Sequence, residues 1–241
     1  MPALRFRGGK KNRAQDLSQQ PFEEPKPVPD VLRQLSYDQY RLIAFRHERA
    51  LWRDPPLPFR LEFFHRGFLI MDKVEIVLVE DGQEQRLSFD PGLFQYRGEL
   101  ASMKVSNDWG FAGVKLLCKL PTWANFQEFC TSVGASYFRA VCGNQVYGTS
   151  ARGLAAAIGL SCPEEFPSFR IFWIERSVER SKSIRVWALL DGPSVTGAYE
   201  FLITPGLEQT ILDIDCQLFC RKQIDKLGIA PLMVPGNSAF G

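Results

Sequence analysis

The sequence predicts a mainly β protein, a large antiparallel β-sandwich with a few short helices. Runs of β-branched and aromatic residues recur about every dozen residues from Phe59 onward, separated by turn residues. Helical periods of ten or more residues do not alternate with these runs, which disfavours a parallel α/β architecture. Aromatic residues make up 12% of the chain. That content suits either a thick core between two sheets or a surface that stacks on flat ligand faces.

The candidate strands cover residues 60–70, 73–80, 86–89, 114–120, 128–133, 136–141, 169–175, 184–190, 198–204 and 210–219. Asp81-Gly82 lies between the second and third of these and is a strong two-residue hairpin signal. In the strand 73–80 we expect Val74, Ile76 and Leu78 to face the core, because alternate side chains point to opposite faces of a sheet. Lys73, Glu75, Val77 and Val79 then face the other way.

Outside the strands, the sequence predicts three kinds of segment. Residues 1–30 are basic at the start and then polar and rich in proline, which indicates an extended N-terminal arm. Asp30 is placed to cap a short helix that runs to about residue 40. Short helices are also predicted at 151–158 and 221–227, the second ended by Gly228. Residues 31–232 hold no convincing internal boundary and form one predicted domain.

Composition excludes several classes of protein. The chain has 29 Lys and Arg against 27 Asp and Glu, so it lacks the basic excess of a nucleic-acid-binding domain. Its longest apolar stretch, residues 153–160, is too short to span a bilayer. The basic residues at the start are not followed by the apolar segment of a secretory signal. We therefore predict no nucleic-acid partner and no membrane span.

Cysteine and histidine patterns give little support for a metal site. The chain has six cysteines and two histidines, with no CxxC pair, so buried free thiols are favoured over zinc ligands. His65 lies in an aromatic run and is expected to be buried and hydrogen-bonded. Glycine-rich nucleotide motifs and the GxSxG elbow are absent from the sequence. We predict no cofactor and no metal.

Two carboxylates are candidates for catalysis. Glu175 and Asp191 each end a predicted strand and could lie along one rim of a sheet. Glycosidic bond cleavage needs two such groups facing each other, one to protonate the leaving oxygen and one to activate water or attack. The alternative is that each acid simply begins a turn.

The densest group of binding side chains lies in residues 134–154. Tyr137, Arg139, Tyr147 and Arg152 stand there on glycine-rich connections beside further amides and hydroxyls. Flat rings stack on the C–H faces of sugars, and planar donors reach pairs of hydroxyls. An ordinary hairpin with polar surface residues is the alternative. Trp173 extends the sugar hypothesis, with Arg170 expected on the opposite face of the same strand.

Several ordered blocks resemble one family. They include YDQYR (37–41), GASYFRA (134–140), QVYGTSARGLA (145–155), EEFPSFRIFWIER (164–176), ALLDGPSVTGAY (188–199) and KLGIAPL (226–232). From about residue 6 to residue 232, the chain is similar to the periplasmic glucan biosynthesis proteins G and D. That family acts in making osmoregulated periplasmic glucans.

The resemblance implies a β-sandwich of the galactose-mutarotase-like type with a long cleft, followed by an immunoglobulin-like domain. It implies a periplasmic location, a β-1,2-glucan backbone as ligand, and other glucan-synthesis components as partners. It also makes Tyr137, Arg139, Tyr147, Arg152 and Trp173 candidates for glucan binding. Some members are glycosidases with an Asp general acid in a segment after GIAPL. We expect the chain to be truncated before that segment, with residues 233–241 as a tail outside the family pattern.

Three hypotheses stay open. The chain is a glucan-binding sandwich without catalysis, or a hydrolase that uses Glu175 and Asp191, or a truncated sandwich without function. The first is favoured because the central blocks are present and the acid segment is not.

Overall fold

The structure, a computed structural model, describes residues 2–53, 57–146 and 148–233. Within these residues we number the helices α1 (Pro2–Ser18), α2 (Asp30–Arg33) and α3 (Tyr37–Tyr40). The strands are β1 (Ile43–Phe45), β2 (Phe59–His65), β3 (Glu75–Glu80), β4 (Gln83–Leu87), β5 (Phe94–Tyr96), β6 (Phe111–Cys118), β7 (Gln127–Val133), β8 (Tyr137–Ala140), β9 (Ser150–Arg152), β10 (Leu154–Ala156), β11 (Ser168–Glu175), β12 (Ile184–Asp191), β13 (Val195–Thr204), β14 (Ile211–Cys220), β15 (Leu227–Ile229) and β16 (Leu232–Met233). Short 3₁₀ turns lie at His47–Arg49, Pro91–Leu93 and Gly98–Leu100.

Two six-stranded sheets dominate the described structure. The first sheet has the strand order β14-β13-β12-β11-β3-β4, and the second has the order β16-β9-β8-β7-β6-β2. Two small ribbons, β1-β5 and β10-β15, accompany them. The pairings are antiparallel except that β3 and β11 run parallel. The predicted mainly β, antiparallel fold is confirmed, with this one parallel pair as a difference.

Aromatic side chains from both sheets form the core between them. Phe63, Phe111 and Phe129 of the second sheet and Phe169 and Phe172 of the first are at most 2% exposed. The rings of Phe138 on β8 and Phe201 on β13 meet edge to face with centroids 5.5 Å apart, which joins the two sheets directly. The high aromatic content therefore fills a thick core.

The outer face of the first sheet is also apolar, and α1 covers it. Val77, Val79, Trp173 and Trp187 form a second buried cluster on that face, with Ala14 of α1 packed among them. The prediction that residues 1–30 form an extended arm is therefore wrong for residues 2–18. The physical reason is that an apolar outer face must be covered, and the helix supplies the cover.

Both faces of β3 are consequently buried. Val74 and Ile76 face the main core as predicted, while Leu78 is only partly buried. Val77 and Val79, predicted to face away from the core, are buried beneath α1. Asp81 and Gly82 do form the predicted turn between β3 and β4, with φ angles of 48° and 77°.

The predicted helices need three corrections. The expected helix over residues 31–40 is divided into α2 and α3, with Pro29 rather than Asp30 as the N-cap of α2 and Ser36 as the N-cap of α3. Residues 151–158 contain strands β9 and β10 instead of a helix, because pairing with neighbouring strands outweighs the helical propensity of alanine. Residues 221–227 are not helical either: Gly228 pairs with Ala155 in a ribbon.

A β-bulge at Arg170 changes which residues share a face of β11. The register with β12 shifts between Phe169 and Ile171. Arg170 consequently lies on the same face as Trp173, where its Nε is 3.5 Å from Oδ2 of Asp191. The expectation that Arg170 and Trp173 face opposite ways is wrong, because the inserted residue breaks the two-residue alternation.

Candidate functional site

The outer face of the second sheet carries three of the predicted binding residues. On β8 and β9 the side chains of Phe138 and Ala151 point into the core. Their neighbours Tyr137, Arg139 and Arg152 therefore point outward, because successive side chains of a strand alternate between faces. Local alternation is enough to bring these three side chains together.

These side chains line a cavity of about 400 Å³, which we call the β8–β9 cavity. Most of its lining is apolar, with a few polar groups at the edges, as is usual in ligand sites. The lining residues are Phe64, Leu69, Ile70, Met71, Asp72, Thr131, Val133, Gly134, Ala135, Tyr137, Arg139 and Arg152.

Hydrogen bonds hold the polar side chains of the cavity in place. The Ser150 hydroxyl donates to the Tyr137 hydroxyl at 2.6 Å. Arg139 donates through Nη2 to Oε1 of Glu128 at 3.2 Å. Such contacts fix the side chains before any ligand arrives, which lowers the entropic cost of binding.

Arg152 is the most restrained of these residues. Its Nη1 donates to the carbonyl of Ala135 at 2.9 Å, and its guanidinium lies 4.3 Å from the centre of the Phe166 ring. Burial lowers the pKa of Arg152, and the carboxylate of Asp72 acts in the opposite direction. A guanidinium held by a hydrogen bond and a ring contact keeps its rigid fork of donors in one orientation.

Asp72 is a residue of the cavity that the sequence analysis missed. It stands between two predicted strands, so no local pattern marked it. In the fold, its Oδ2 accepts a 2.7 Å hydrogen bond from the Ser168 hydroxyl. Gly134 permits this close packing, because a Cβ on Gly134 would lie 2.6 Å from the Cβ of Asp72. Asp72 is identified as a cavity residue only by its proximity to Gly134 and Ser168 in the folded chain.

A second and larger cavity adjoins the first on the same face of the sheet. This β2–β6 cavity, of about 760 Å³, is lined by His47, Ala50, Arg53, Arg60, Glu62, Lys115, Leu117, Lys119, Ala124, Asn125, Phe126, Gln127 and Glu128. Lys115 and Glu128 connect the two cavities. Lys115 Nζ lies 4.8 Å from the Phe64 ring centre, and Glu128 binds both Thr131 and Arg139.

The β2–β6 cavity contains a buried carboxylate. Glu62 is 2% exposed, and its Oε1 is 2.6 Å from Nδ1 of the exposed His47. Arg60 stacks with its guanidinium 3.7 Å from the centre of the Phe126 ring. The two cavities together present aromatic faces with planar and charged donors and acceptors on one face of the second sheet.

Glu175 and Asp191 do not meet. Asp191 lies opposite Ser168 at one end of β11, and Glu175 is the last residue at the other end. Seven positions along a strand with one bulge correspond to roughly 20 Å, well beyond the separation of about 9.5 Å that glycosidases tolerate. Each carboxylate pairs with an arginine: Glu175 with Arg185, and Asp191 with Arg221. They cannot act on one bond as a catalytic pair.

Two other predicted residues are not seen in the cavity. Trp173 is 2% exposed and lies on the outer face of the first sheet beneath α1. Tyr147 lies outside the described residues, and its role stays a prediction. Trp173 was predicted to join the sugar-binding group, but its ring is buried between the sheet and α1, and its Nε1 donates to Oε2 of Glu84 at 3.0 Å.

His65 is buried and hydrogen-bonded, as predicted. It is 2% exposed, and its Nδ1 donates to the carbonyl of Arg66 at 2.6 Å. Burial lowers the pKa of His65 to about 4, so the ring is neutral at physiological pH. Four aromatic rings meet it edge to face, with centroids 5.0–5.8 Å away.

The cysteines are all free thiols, and Cys118, Cys130 and Cys142 are buried. Across the described ranges, no group of three or more His, Cys, Asp or Glu side chains is arranged to hold a metal ion. No helix in the described part of the chain is both long and apolar enough to cross a bilayer.

Comparison with known proteins gives one consistent result. The family described as "Periplasmic glucan biosynthesis protein, MdoG" matches residues 9–234. A relative from Vibrio cholerae named "Glucans biosynthesis protein G" is 42% identical over 219 residues, which is 90% of this chain and 40% of the relative. Proteins of the same name from Ralstonia nicotianae and Rhodopseudomonas palustris are 42% and 43% identical over 91% of the chain. The chain spans less than half the length of these relatives, 40–44%.

Proposed function

The chain belongs to the periplasmic glucan biosynthesis family, and we propose on that basis that it binds a β-1,2-linked glucan backbone in the periplasm. The binding site is the groove formed by the β8–β9 cavity and the β2–β6 cavity. The role is binding without hydrolysis, in glucan biosynthesis together with other components of that process.

The observation that carries the proposal is the β8–β9 cavity itself. Phe64, Leu69 and Tyr137 supply apolar surface for the C–H faces of glucose units. Arg139 and Arg152 supply planar donors for pairs of hydroxyls, and Asp72 supplies an acceptor. A mainly apolar cavity with few, well-held polar groups suits a neutral sugar better than a multiply charged ligand.

The extent of the groove supports a polymer rather than a single sugar. The two cavities adjoin along Lys115 and Glu128 and lie on one face of one sheet. Crossing from β9 to β2 covers four strand spacings, which corresponds to roughly 19 Å. An extended oligosaccharide of several units fits that length. Within the β2–β6 cavity, Glu62 pairs with His47 and Glu128 pairs with Lys115.

Isothermal titration calorimetry of the chain with linear β-1,2-gluco-oligosaccharides tests the proposal. Calorimetry is preferable to tryptophan fluorescence, because no tryptophan lines either cavity. We expect saturable binding, and no binding of a β-1,4-linked oligosaccharide of the same length. Absence of binding at millimolar ligand by a folded sample would overturn the proposal, and release of shorter glucans would overturn the absence of hydrolysis.

Two variants assign the binding to the groove. Arg139→Gln removes a charged donor of the cavity and is expected to weaken binding about tenfold. Arg180→Gln is the matched control, because Arg180 is an exposed arginine beyond the end of β11. If both variants bind as the unsubstituted chain does, the glucan site lies elsewhere.

A further inference from the structure

One wall of the β8–β9 cavity is a strained two-residue turn. Gly67 and Ile70 exchange two backbone hydrogen bonds of 2.9 Å, with Phe68 and Leu69 between them. Phe68 has a φ of 53°, while that of Leu69 is not positive. This pattern is that of a type II′ turn, in which glycine normally occupies the first central position. A phenylalanine there is held in an unfavourable backbone conformation.

The helices α2 and α3 hold this turn in place. The Phe68 ring packs against the rings of Tyr37 and Tyr40, with centroids 5.8 and 6.5 Å away. The Phe68 amide donates to the carbonyl of Leu32 at 3.2 Å. The Tyr40 hydroxyl donates to the carbonyl of His65 at 2.8 Å, two residues before the turn begins at Gly67. Strain persists where the surrounding structure fixes it, and such positions cluster at ligand sites.

The turn presents an exposed aliphatic side chain to the cavity. Leu69 is 57% exposed and lines the β8–β9 cavity, followed along the chain by the lining residues Ile70, Met71 and Asp72. An exposed leucine on a tight turn gains no burial within the chain itself. Its position at the lip of a cavity gives it a surface to offer to a ligand.

We propose that Leu69 contacts the apolar face of a glucose unit and sets the affinity for the glucan, and that Phe68 is a positioning residue that acts through Leu69. The inference rests on the proposed function, because it names the part of that site which recognises the sugar face. Phe68 keeps the turn in the one geometry that directs the Leu69–Asp72 wall toward Tyr137 and Arg152.

Calorimetric titration of single and double variants with a β-1,2-gluco-oligosaccharide tests the inference. Leu69→Ala is expected to bind about fivefold more weakly with an unchanged melting temperature, because the side chain is mostly exposed. Phe68→Gly relieves the backbone strain but removes the ring, and about fivefold weaker binding is expected. Phe68→Tyr keeps the ring and should bind as the unsubstituted chain does. Val178→Ala is the matched control, an exposed aliphatic residue (71%) on another loop.

The double variant distinguishes positioning from a general structural effect. If Phe68 acts through Leu69, the Phe68→Gly/Leu69→Ala variant binds no more weakly than either single variant. Binding by Leu69→Ala equal to that of the unsubstituted chain overturns the inference and leaves the proposed function intact. If the losses of binding free energy in the two single variants add up in the double variant, the positioning role of Phe68 is overturned. Failure of the unsubstituted chain to bind overturns the proposed function and this inference with it. If Phe68→Gly fails to fold, Leu69→Ala alone decides.

Discussion

The Ser168 hydroxyl donates a 2.7 Å hydrogen bond to Oδ2 of Asp72, and this contact joins β11 of the first sheet to the wall of the β8–β9 cavity. Ser168 is the sole hydrogen-bond donor to Asp72 among the described residues. We expect the other Asp72 oxygen to accept a hydrogen bond from a ligand. The charge of Asp72 also opposes the lowering of the Arg66 and Arg152 pKa values by burial. Asp72 therefore links sheet packing to the electrostatics of the cavity.

Replacing Asp72 separates those two roles. Asp72→Asn keeps an oxygen that accepts from Ser168 but removes the negative charge near Arg152. We expect stability within about 1 kcal/mol of the unsubstituted chain and gluco-oligosaccharide binding about tenfold weaker. Ser168→Ala should lower the free energy of unfolding by about 1 kcal/mol. Urea unfolding and calorimetry measure both, with exposed Asp213→Asn as control. Unchanged affinity in Asp72→Asn would contradict a ligand role for the carboxylate.

His65 should make the fold sensitive to mild acid. Burial lowers its pKa to about 4, against 6.5 for the free side chain. Between these values the unfolded chain binds a proton that the native chain does not, so stability falls as the pH falls through 6.5 toward 4. The loss is at most about 1.4 kcal/mol per pH unit.

The His65→Phe variant should remove this part of the acid sensitivity. Urea unfolding at pH values from 7.5 to 4.5 measures this effect. The difference in free energy of unfolding between the unsubstituted chain and His65→Phe should narrow or reverse as the pH falls. Val178→Ala, at an aliphatic residue that is 71% exposed, is the control. Parallel pH profiles for the unsubstituted chain and His65→Phe would show that another group causes the acid sensitivity.

Local patterns were sufficient for much of the fold. Alternation of side chains along each strand, together with turn residues such as Asp81-Gly82, predicted most strands of both sheets. The same alternation explains why Tyr137, Arg139 and Arg152 share one face, since they lie on two neighbouring short strands. Residue types and short-range spacing fix these features, so no distant contact is needed to predict them.

The errors concern contacts between distant parts of the chain. The bulge at Arg170 and the register of β11 with β12 decide that Glu175 and Asp191 lie far apart, and neither is visible in the local sequence. Trp173 is covered by α1, whose residues lie more than 150 positions before it in the sequence. Asp72 joins the cavity only through Ser168 and Gly134, at separations that a single sequence does not reveal.

Arg221 should be the main anchor of α1. Its guanidinium donates to the carbonyl of Leu17 at 2.9 Å, to the carbonyl of Gln20 at 3.0 Å and to Oδ1 of Asp191 at 2.8 Å. Arg221 and Asp191 side chains are only 7% and 10% exposed. Removing one partner of a buried ion pair leaves the other charge uncompensated, which costs about 3–5 kcal/mol.

Arg221→Met should therefore lower the free energy of unfolding by an amount near the lower end of that range, since Arg170 still faces Asp191. Limited proteolysis should then cut within residues 9–20 before it cuts the sheets, because the carbonyl groups of Leu17 and Gln20 lose their hydrogen-bond donor. Exposed Arg180→Met serves as the control. If residues 9–20 of Arg221→Met resist proteolysis as well as those of the unsubstituted chain, apolar packing alone holds the helix.

Lys10 on α1 should give the chain a stability that rises in mild alkali. Its Nζ lies 4.8 and 4.9 Å from the ring centres of Trp173 and Trp187, and 3.2 Å from Oε1 of Glu84. Burial lowers the pKa of Lys10 to about 8, although Glu84 opposes the change. Between pH 8 and the free value of 10.5, the unfolded chain holds a proton that the native chain has lost, so stability rises with pH.

The Lys10→Met variant lacks this titration while keeping a long apolar stem against the two tryptophans. Because buried tyrosines affect both proteins equally, the difference between their free energies of unfolding isolates Lys10. We expect the unsubstituted chain to gain stability relative to Lys10→Met as the pH rises from 8 to 10, by urea unfolding at fixed ionic strength. Lys11→Met, at an exposed neighbour, should show no such trend. A difference that is constant with pH would mean that Lys10 keeps its proton in the native state, held by Glu84 and the two rings.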